Sequence, residues 1–312
     1  MFFSSKIKDV TPSKTSIISD LVFKLKREGK EIISMAAGEL DLAPKKNIKS
    51  KAIEVIKNGD TKYAPVSGLE ELKKAISRKL LIENSLDYST DHIIVSNGGK
   101  QVIYNALVST INPGDEVIII SPYWVSYPEM VKLCGGVPKI LKSERKNNYQ
   151  VNVEKLKKVI SKKTKWLILN SPNNPTGTVY SLETLRKIAN ILTKHTKIWV
   201  LTDEIYEKLN FIDPSPRNIL NIKKTLKKRA LLVNGFSKSY CMTGWRLGYG
   251  AGPKKLISSM LKVQSQSTSA ANTIAQFAGI NALDLSSIEF SKLISVLAKR
   301  QKIMLNKINK IN

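Results

Sequence analysis

Four short clusters in this chain combine residue types that can do chemistry, and each follows a short apolar run. Asn97-Gly98-Gly99-Lys100 sets two glycines ahead of a helical segment. Glycine lets the backbone approach an anion, and the free N–H groups and dipole of a helix start favour a phosphate. Asn170-Ser171-Pro172-Asn173-Asn174-Pro175-Thr176-Gly177 is a polar, proline-broken stretch, and Asp203-Glu204-Ile205-Tyr206 brings two acids and a phenol together. Asn234-Gly235-Phe236-Ser237-Lys238-Ser239-Tyr240 carries one lysine, a nucleophile when its amine is free. It is followed by Met242-Thr243-Gly244-Trp245-Arg246. Each cluster also has an ordinary use: a Gly-Gly turn, a Pro/Asn turn, acids in the first turn of a helix, one more surface lysine. Neither a Walker motif nor G-x-G-x-x-G occurs.

The elements that must position these clusters are legible from hydrophobic period. Leu72, Ile76, Leu80 and Leu81 mark an amphipathic helix over Leu69 to Ile82. A second helix is expected from Lys100 to Thr110, closed by Asn112-Pro113-Gly114. Short apolar runs at His92–Val95, Glu116–Ile120, Trp166–Leu169, Ile198–Leu201 and Ala230–Val233 predict strands. Strands apolar on both faces and separated by helices predict a mostly parallel sheet sandwiched by helices, an α/β fold. Open sheets of this kind place their ligands at the carboxyl ends of strands, where all four clusters lie. A leading helix is expected from about Ser16 to Glu28. After Pro253 the pattern turns helical and stays so, ending in one lysine-rich helix from Ile288 to Ile311. Three units are expected: residues 1–35 as an N-terminal segment, 36–284 as the large domain, and 285–312 as the start of a small C-terminal domain.

Composition bounds the partners. The 312 residues are 42% hydrophobic and 24% charged, as in soluble globular proteins, but 51 Lys+Arg against 25 Asp+Glu leave a net charge of +26. Such an excess first suggests nucleic acid or an anionic membrane. The lysines, however, are spread along the chain in pairs such as Lys45-Lys46, Lys162-Lys163 and Lys227-Lys228, and are not gathered into one arm. The reading is a compositional bias, with no nucleic-acid partner expected. Cys134 and Cys241 have neither metal-ligand nor framework spacing, and the first residues lack a secretory pattern, so a cytoplasmic setting is expected. No apolar run reaches membrane-spanning length, and no metal site is expected.

Taken in order, the clusters resemble the aspartate aminotransferase family of fold-type I pyridoxal-phosphate enzymes, in its aspartate/prephenate aminotransferase-like branch. The resemblance runs from Pro12-Ser13-Lys14-Thr15 through Tyr63-Ala64-Pro65, Ser121-Pro122-Tyr123-Trp124 and Asn174-Pro175-Thr176-Gly177 to Asp203-Glu204-Ile205-Tyr206, Ser237-Lys238 and Arg246. It implies a cofactor, pyridoxal 5′-phosphate, held as a Schiff base by Lys238, whose freed amine then shuttles a proton. It implies that Asp203 pairs with the pyridine nitrogen, that Tyr206 and Asn174 bond the phenolic oxygen, and that Trp124 stacks on the ring. Gly99 and Lys100 would hold the phosphate with Arg246 as its charged clamp, and Tyr63 would reach the phosphate of a neighbouring subunit, which implies a homodimer. Gly38, with Trp124 and Asn174, would meet the substrate. Lys100 and Thr15 match positions that receive the distal carboxylate of an acidic substrate, so aspartate or glutamate with a 2-oxo acid is expected, with prephenate/arogenate as a second activity. Thr15 also reads as a helix N-cap.

Two departures from the family pattern stand out. Leu40 follows Gly38-Glu39 where the family usually has proline. The family also continues through a small domain carrying the arginine that clamps the substrate α-carboxylate, and no residue here matches it; Arg300 does not fit the motif. The expectation is therefore a C-terminally truncated aminotransferase with weak turnover. The alternatives are a relic that binds the cofactor without turnover, a pyridoxal-phosphate lyase, or a basic nucleic-acid-binding protein on the same fold.

Overall fold

A computed structural model describes residues 2–35, 38–211 and 218–311. The boundary expected after residue 35 abuts positions outside that set. In chain order the strands are β1 (Ile93–Ser96), β2 (Glu116–Ser121), β3 (Val137–Lys142), β4 (Thr164–Asn170), β5 (Trp199–Asp203), β6 (Ala230–Gly235) and β7 (Gly248–Ala251). The helices are α1 (Lys14–Arg27), α2 (Lys46–Asn58), α3 (Glu70–Asn84), α4 (Gly99–Thr110), α5 (Ser126–Leu133), α6 (Val153–Val159), α7 (Leu182–Lys194), α8 (Ile219–Ile222), α9 (Lys254–Ser265), α10 (Thr273–Leu283) and α11 (Ser287–Ile308).

The strands form one seven-stranded sheet in the order β1-β7-β6-β5-β4-β2-β3. All neighbours are parallel except β7, which runs antiparallel to both β6 and β1. The expected α/β sandwich is what the chain adopts, and alternation along the strands shows why. Ile118 and Ile120 of β2 and Leu167 and Leu169 of β4 point into a core with Ile76 and Leu80 of α3, Ile188 of α7 and Ala278 of α10. Val117 and Ile119 with Trp166 and Ile168 point the other way, onto Val102 and Ala106 of α4, Met130 of α5 and Met260 of α9. Each fully buried Ile or Leu contributes about 1.5–3 kcal/mol, so a sheet covered on both faces gathers enough to hold rigid strand ends.

Two strands escaped the sequence reading. β3 lies at the sheet edge and buries only Leu141 fully, its other residues being exposed or half-buried, so it carries no sustained apolar signal. β7 is Gly-Tyr-Gly-Ala, and its glycines serve close packing: a Cβ on Gly248 would lie 2.4 Å from the Gly99 nitrogen, and one on Gly250 would lie 2.6 Å from Val102. The start of α4 can sit on the sheet only because those side chains are absent. The expectation of unbroken helix after Pro253 is also corrected. Residues 266–272 leave the helix between α9 and α10, and Ser269 adopts φ +59° there.

Candidate active site

The parallel strands β4, β5 and β6 end at one edge of the sheet, and β1, antiparallel to β7, ends there too. The four clusters follow these strand ends, which is how positions far apart in sequence meet. At one side β1 runs into Gly98, whose φ of +89° only glycine adopts readily, and α4 begins. Among the described residues, the N–H groups of Gly99 and Lys100 have no hydrogen-bond partner. Arg246 lies over this turn in a left-handed conformation, φ +53°. It donates to the carbonyls of Thr243 (3.0 Å) and Asn97 (3.3 Å). A Cβ on Gly98 would stand 2.6 Å from its Nη2, so the glycine makes room for the guanidinium. No described carboxylate pairs with Arg246. Two free N–H donors and one unneutralised guanidinium make a cradle for a dianion.

At the other side stands Asp203, the last residue of β5, 5% exposed. Tyr127 of α5 donates its phenol O–H to Oδ2 at 2.6 Å, and the Ile205 N–H donates to Oδ1 at 3.2 Å. Burial raises the Asp203 carboxyl to about 6, and these two donors restrain the rise. A buried carboxylate without a described cationic partner is arranged to meet a cation from outside the chain. Beyond it Tyr206 receives a hydrogen bond from Asn174 Nδ2 at 3.4 Å, and its phenol is pushed up to about 12 by burial and by the charge of Asp203. Asn174 is itself placed by Asn170, whose Oδ1 accepts from the Asn174 N–H at 2.8 Å while its Nδ2 donates to the Asp203 carbonyl at 3.0 Å.

Lys238 lies between these two ends. Its Nζ donates to the Gly38 carbonyl and is 6.0 Å from the centroid of the Tyr206 ring. Burial lowers its pKa; Glu39 works against the shift and Arg246 with it. The amine is thereby closer to its nucleophilic, unprotonated form at neutral pH than an ordinary lysine. Trp124, half-buried, has Lys100 Nζ 4.9 Å from its ring centroid and packs edge-on against Tyr127, centroids 5.3 Å apart and planes at 89°. Burial against this ring and the Arg246 charge lower the Lys100 pKa too.

Lys238, Asp203, Tyr206, Asn174, Trp124, Gly99, Lys100, Arg246 and Gly38 are thus gathered at one edge of the sheet. Two expected residues stand apart. Thr15, on α1, is exposed and hydrogen-bonds Ser13 at 2.8 Å; the N-cap of α1 is Ser13. Tyr63 is 94% exposed. Arg300 pairs with Asp41 at 2.6 Å. Tyr127 was missed, and Asn170, though it opens the second cluster, was given no role of its own. A tyrosine in the buried stripe of a helix and an asparagine at a strand end carry no signal of their own, and only the knowledge of which strand end they face reveals them. The Asp203-Glu204-Ile205-Tyr206 segment is a hydrogen-bonded turn rather than a helix start, with the Glu207 N–H on the Glu204 carbonyl and the Leu209 N–H on the Tyr206 carbonyl.

An anion cradle, a nucleophilic amine and a buried carboxylate in that sequence fit a phosphorylated pyridine aldehyde. Comparison with known proteins agrees. The family model "Aminotransferase class I and II" matches residues 30–312. The chain is 46% identical over 283 residues to the "Probable aspartate/prephenate aminotransferase" of Rhizobium leguminosarum bv. phaseoli, covering 91% of this chain and 71% of that relative. The crystal structure of the aspartate aminotransferase from Rhizobium meliloti superposes with a TM-score of 0.94 at 38% identity, over 100% of this chain and 78% of that one. The aspartate aminotransferase from Thermus thermophilus with maleate gives 0.92 at 36% identity, over 99% and 80%. The chain belongs to the class I and II aminotransferases, enzymes that depend on pyridoxal phosphate.

Proposed function

We propose that this aminotransferase acts on acidic amino acids, moving the amino group of aspartate or glutamate to a 2-oxo acid, with prephenate as a second acceptor. The observation that carries the substrate class is the Lys100 ammonium beside Trp124, a cation at the site with no described carboxylate partner. It suits a substrate with a second carboxylate. The related Thermus structure holds maleate, a dicarboxylate. Thr15, exposed on α1, would join Lys100 there.

Pyridoxal phosphate supplies an aldehyde that captures amines and a ring that accepts electrons from Cα. The chain does the rest. Lys238 Nζ would hold the cofactor, and its amine is placed to move a proton at the substrate Cα. Asp203 would face the ring nitrogen and favour its protonated form. Tyr206 and Asn174 would hold the phenolic oxygen, and Trp124 would cover the ring face. Gly99, Lys100 and Arg246 would hold the phosphate, and the Gly38 backbone would orient the substrate carboxylate. Tyr63, exposed in one protomer, would reach the phosphate of a second copy, making the working unit a homodimer. Two free thiols, Cys134 and Cys241, suit a cytoplasmic setting, and no helix among the described residues is long and apolar enough to cross a membrane.

The test is a single-turnover half-reaction followed by the absorbance of the bound cofactor. Aspartate and glutamate should convert it at least about tenfold faster than alanine, and Lys100→Met should remove that preference. Equal rates with all three amino acids in the wild-type chain would overturn the substrate assignment.

A further inference from the structure

Tyr127 is absent from the roles above, yet its side chain touches two of the side chains assigned to the cofactor ring, Asp203 and Trp124. It stands in the first turn of α5, 2% exposed. Its hydroxyl meets Asp203 Oδ2 at 2.6 Å, and its ring meets Trp124 edge-on with centroids 5.3 Å apart. We infer that Tyr127 is a positioning residue: it holds the Asp203 carboxylate in place with its phenol and locks it to Trp124 with its ring. The two side chains that would meet the cofactor at its nitrogen and on its face therefore move as one unit. This rests on the reading of Asp203 as the partner of the ring nitrogen.

Three observations argue that the phenol does more than fill space. A short O–H···O⁻ bond between buried groups is of the strong, charge-assisted kind. Burial and the neighbouring Asp203 hold the Tyr127 phenol well above its ordinary pKa, so it remains a donor at every pH of interest. Burial pushes Asp203 toward its neutral form, and the Tyr127 bond is the first interaction opposing that push. The other groups facing this pair are the Ile205 N–H, Tyr206 and Tyr180, none of them cationic. Without the phenol, the carboxyl loses its charge at a higher pH, and a neutral acid no longer favours a protonated ring nitrogen.

The experiment measures the cofactor dissociation constant of the apoenzyme from pH 5 to 9, by quenching of tryptophan fluorescence. Affinity should fall on the acid side as Asp203 is neutralised. Tyr127→Phe keeps the ring and removes the donor. It should weaken binding about tenfold at neutral pH and move the acid limb upward by about one pH unit, the scale of one hydrogen bond to a charge. A filler role would leave the limb where it is. Tyr127→His, which restores a ring N–H, should return the limb toward its wild-type position. The double variant Tyr127→Phe with Asp203→Asn should bind no worse than Asp203→Asn alone. If Asp203→Asn weakens binding but Tyr127→Phe leaves the limb unmoved, the inference is overturned and the role of Asp203 stands. If Asp203→Asn itself changes nothing, the reading beneath it fails first.

Discussion

Burial moves Lys238 and Asp203 in opposite senses, down for the amine and up for the acid, and each displacement serves the role assigned to it. For Lys238 the consequence is kinetic. The rate at which apoenzyme captures cofactor should rise with pH through a midpoint below the ordinary lysine value of 10.5, as stopped-flow absorbance would show; a midpoint at or above it contradicts the account. Tyr206→Phe removes a donor from the phenolic oxygen, so the pH midpoint of the bound cofactor's absorbance should rise by about one unit, one hydrogen bond in free energy. At this scale the sequence was readable where a residue's chemistry is uncommon in its context, such as a lysine after a β-strand or an Asp-Glu pair at a strand end. It was silent on Tyr127 and on the role of Asn170. Their types are ordinary, and their importance lies in a partner 76 and 33 positions away.

The Asp203–Lys208 turn works as an element because its side chains divide between two directions. Asp203 and Tyr206 face the site, while Glu204 and Glu207 face the scaffold behind it. Glu207 is paired with buried Lys79 of α3 and accepts from Asn84 Nδ2 at 2.8 Å. Burial works against its charge, but Lys79 and Asn84 outweigh it and hold its pKa below the carboxylate range. Breaking such a pair leaves an uncompensated buried charge. Lys79→Met should cost about 3–5 kcal/mol in denaturant unfolding, whereas Lys79→Met with Glu207→Leu should restore most of it. Equal loss in both would show that the pair itself is the source of stability. Glu204 accepts from Thr202 at 2.8 Å and from Asn218, and burial together with the Glu207 charge raises it from 4.5 to about 8. Its folded-state pKa lies above the unfolded one, so the folded chain binds the extra proton between those values. Stability should therefore fall as pH rises from about 4.5 to about 8, and Glu204→Gln should flatten that slope. Long periodic elements such as α3 and α4 were plain from their apolar spacing. The turn, β3 and β7 were not, since a turn has no period and β7 is built from glycines chosen for the neighbour they admit.

For the whole molecule, the sandwich was legible because strands buried on both faces leave runs that few other folds need. Its surface holds a further message. Tyr63 is almost wholly exposed, and Ile17, Leu21 and Phe23 of α1 and Ile53 and Ile56 of α2 are exposed by half or more. Apolar side chains so arranged suit a protein contact, consistent with the proposed homodimer. Sedimentation equilibrium should give twice the 34.8 kDa chain mass at micromolar concentration. Shared sites add a sharper expectation. Tyr63→Phe and Lys238→Ala are each expected to impair activity. Mixed and reassociated, they should regain about a quarter of it, because one hybrid site in two carries neither lesion; no recovery would argue against a shared phosphate site.

The claim on which everything else depends is that Lys238 carries the cofactor. Purified protein incubated with pyridoxal phosphate, reduced with borohydride and digested for mass spectrometry should show one pyridoxyl-modified peptide, bearing the group on Lys238. Modification spread over surface lysines, or concentrated on a different one, would contradict the account at its root.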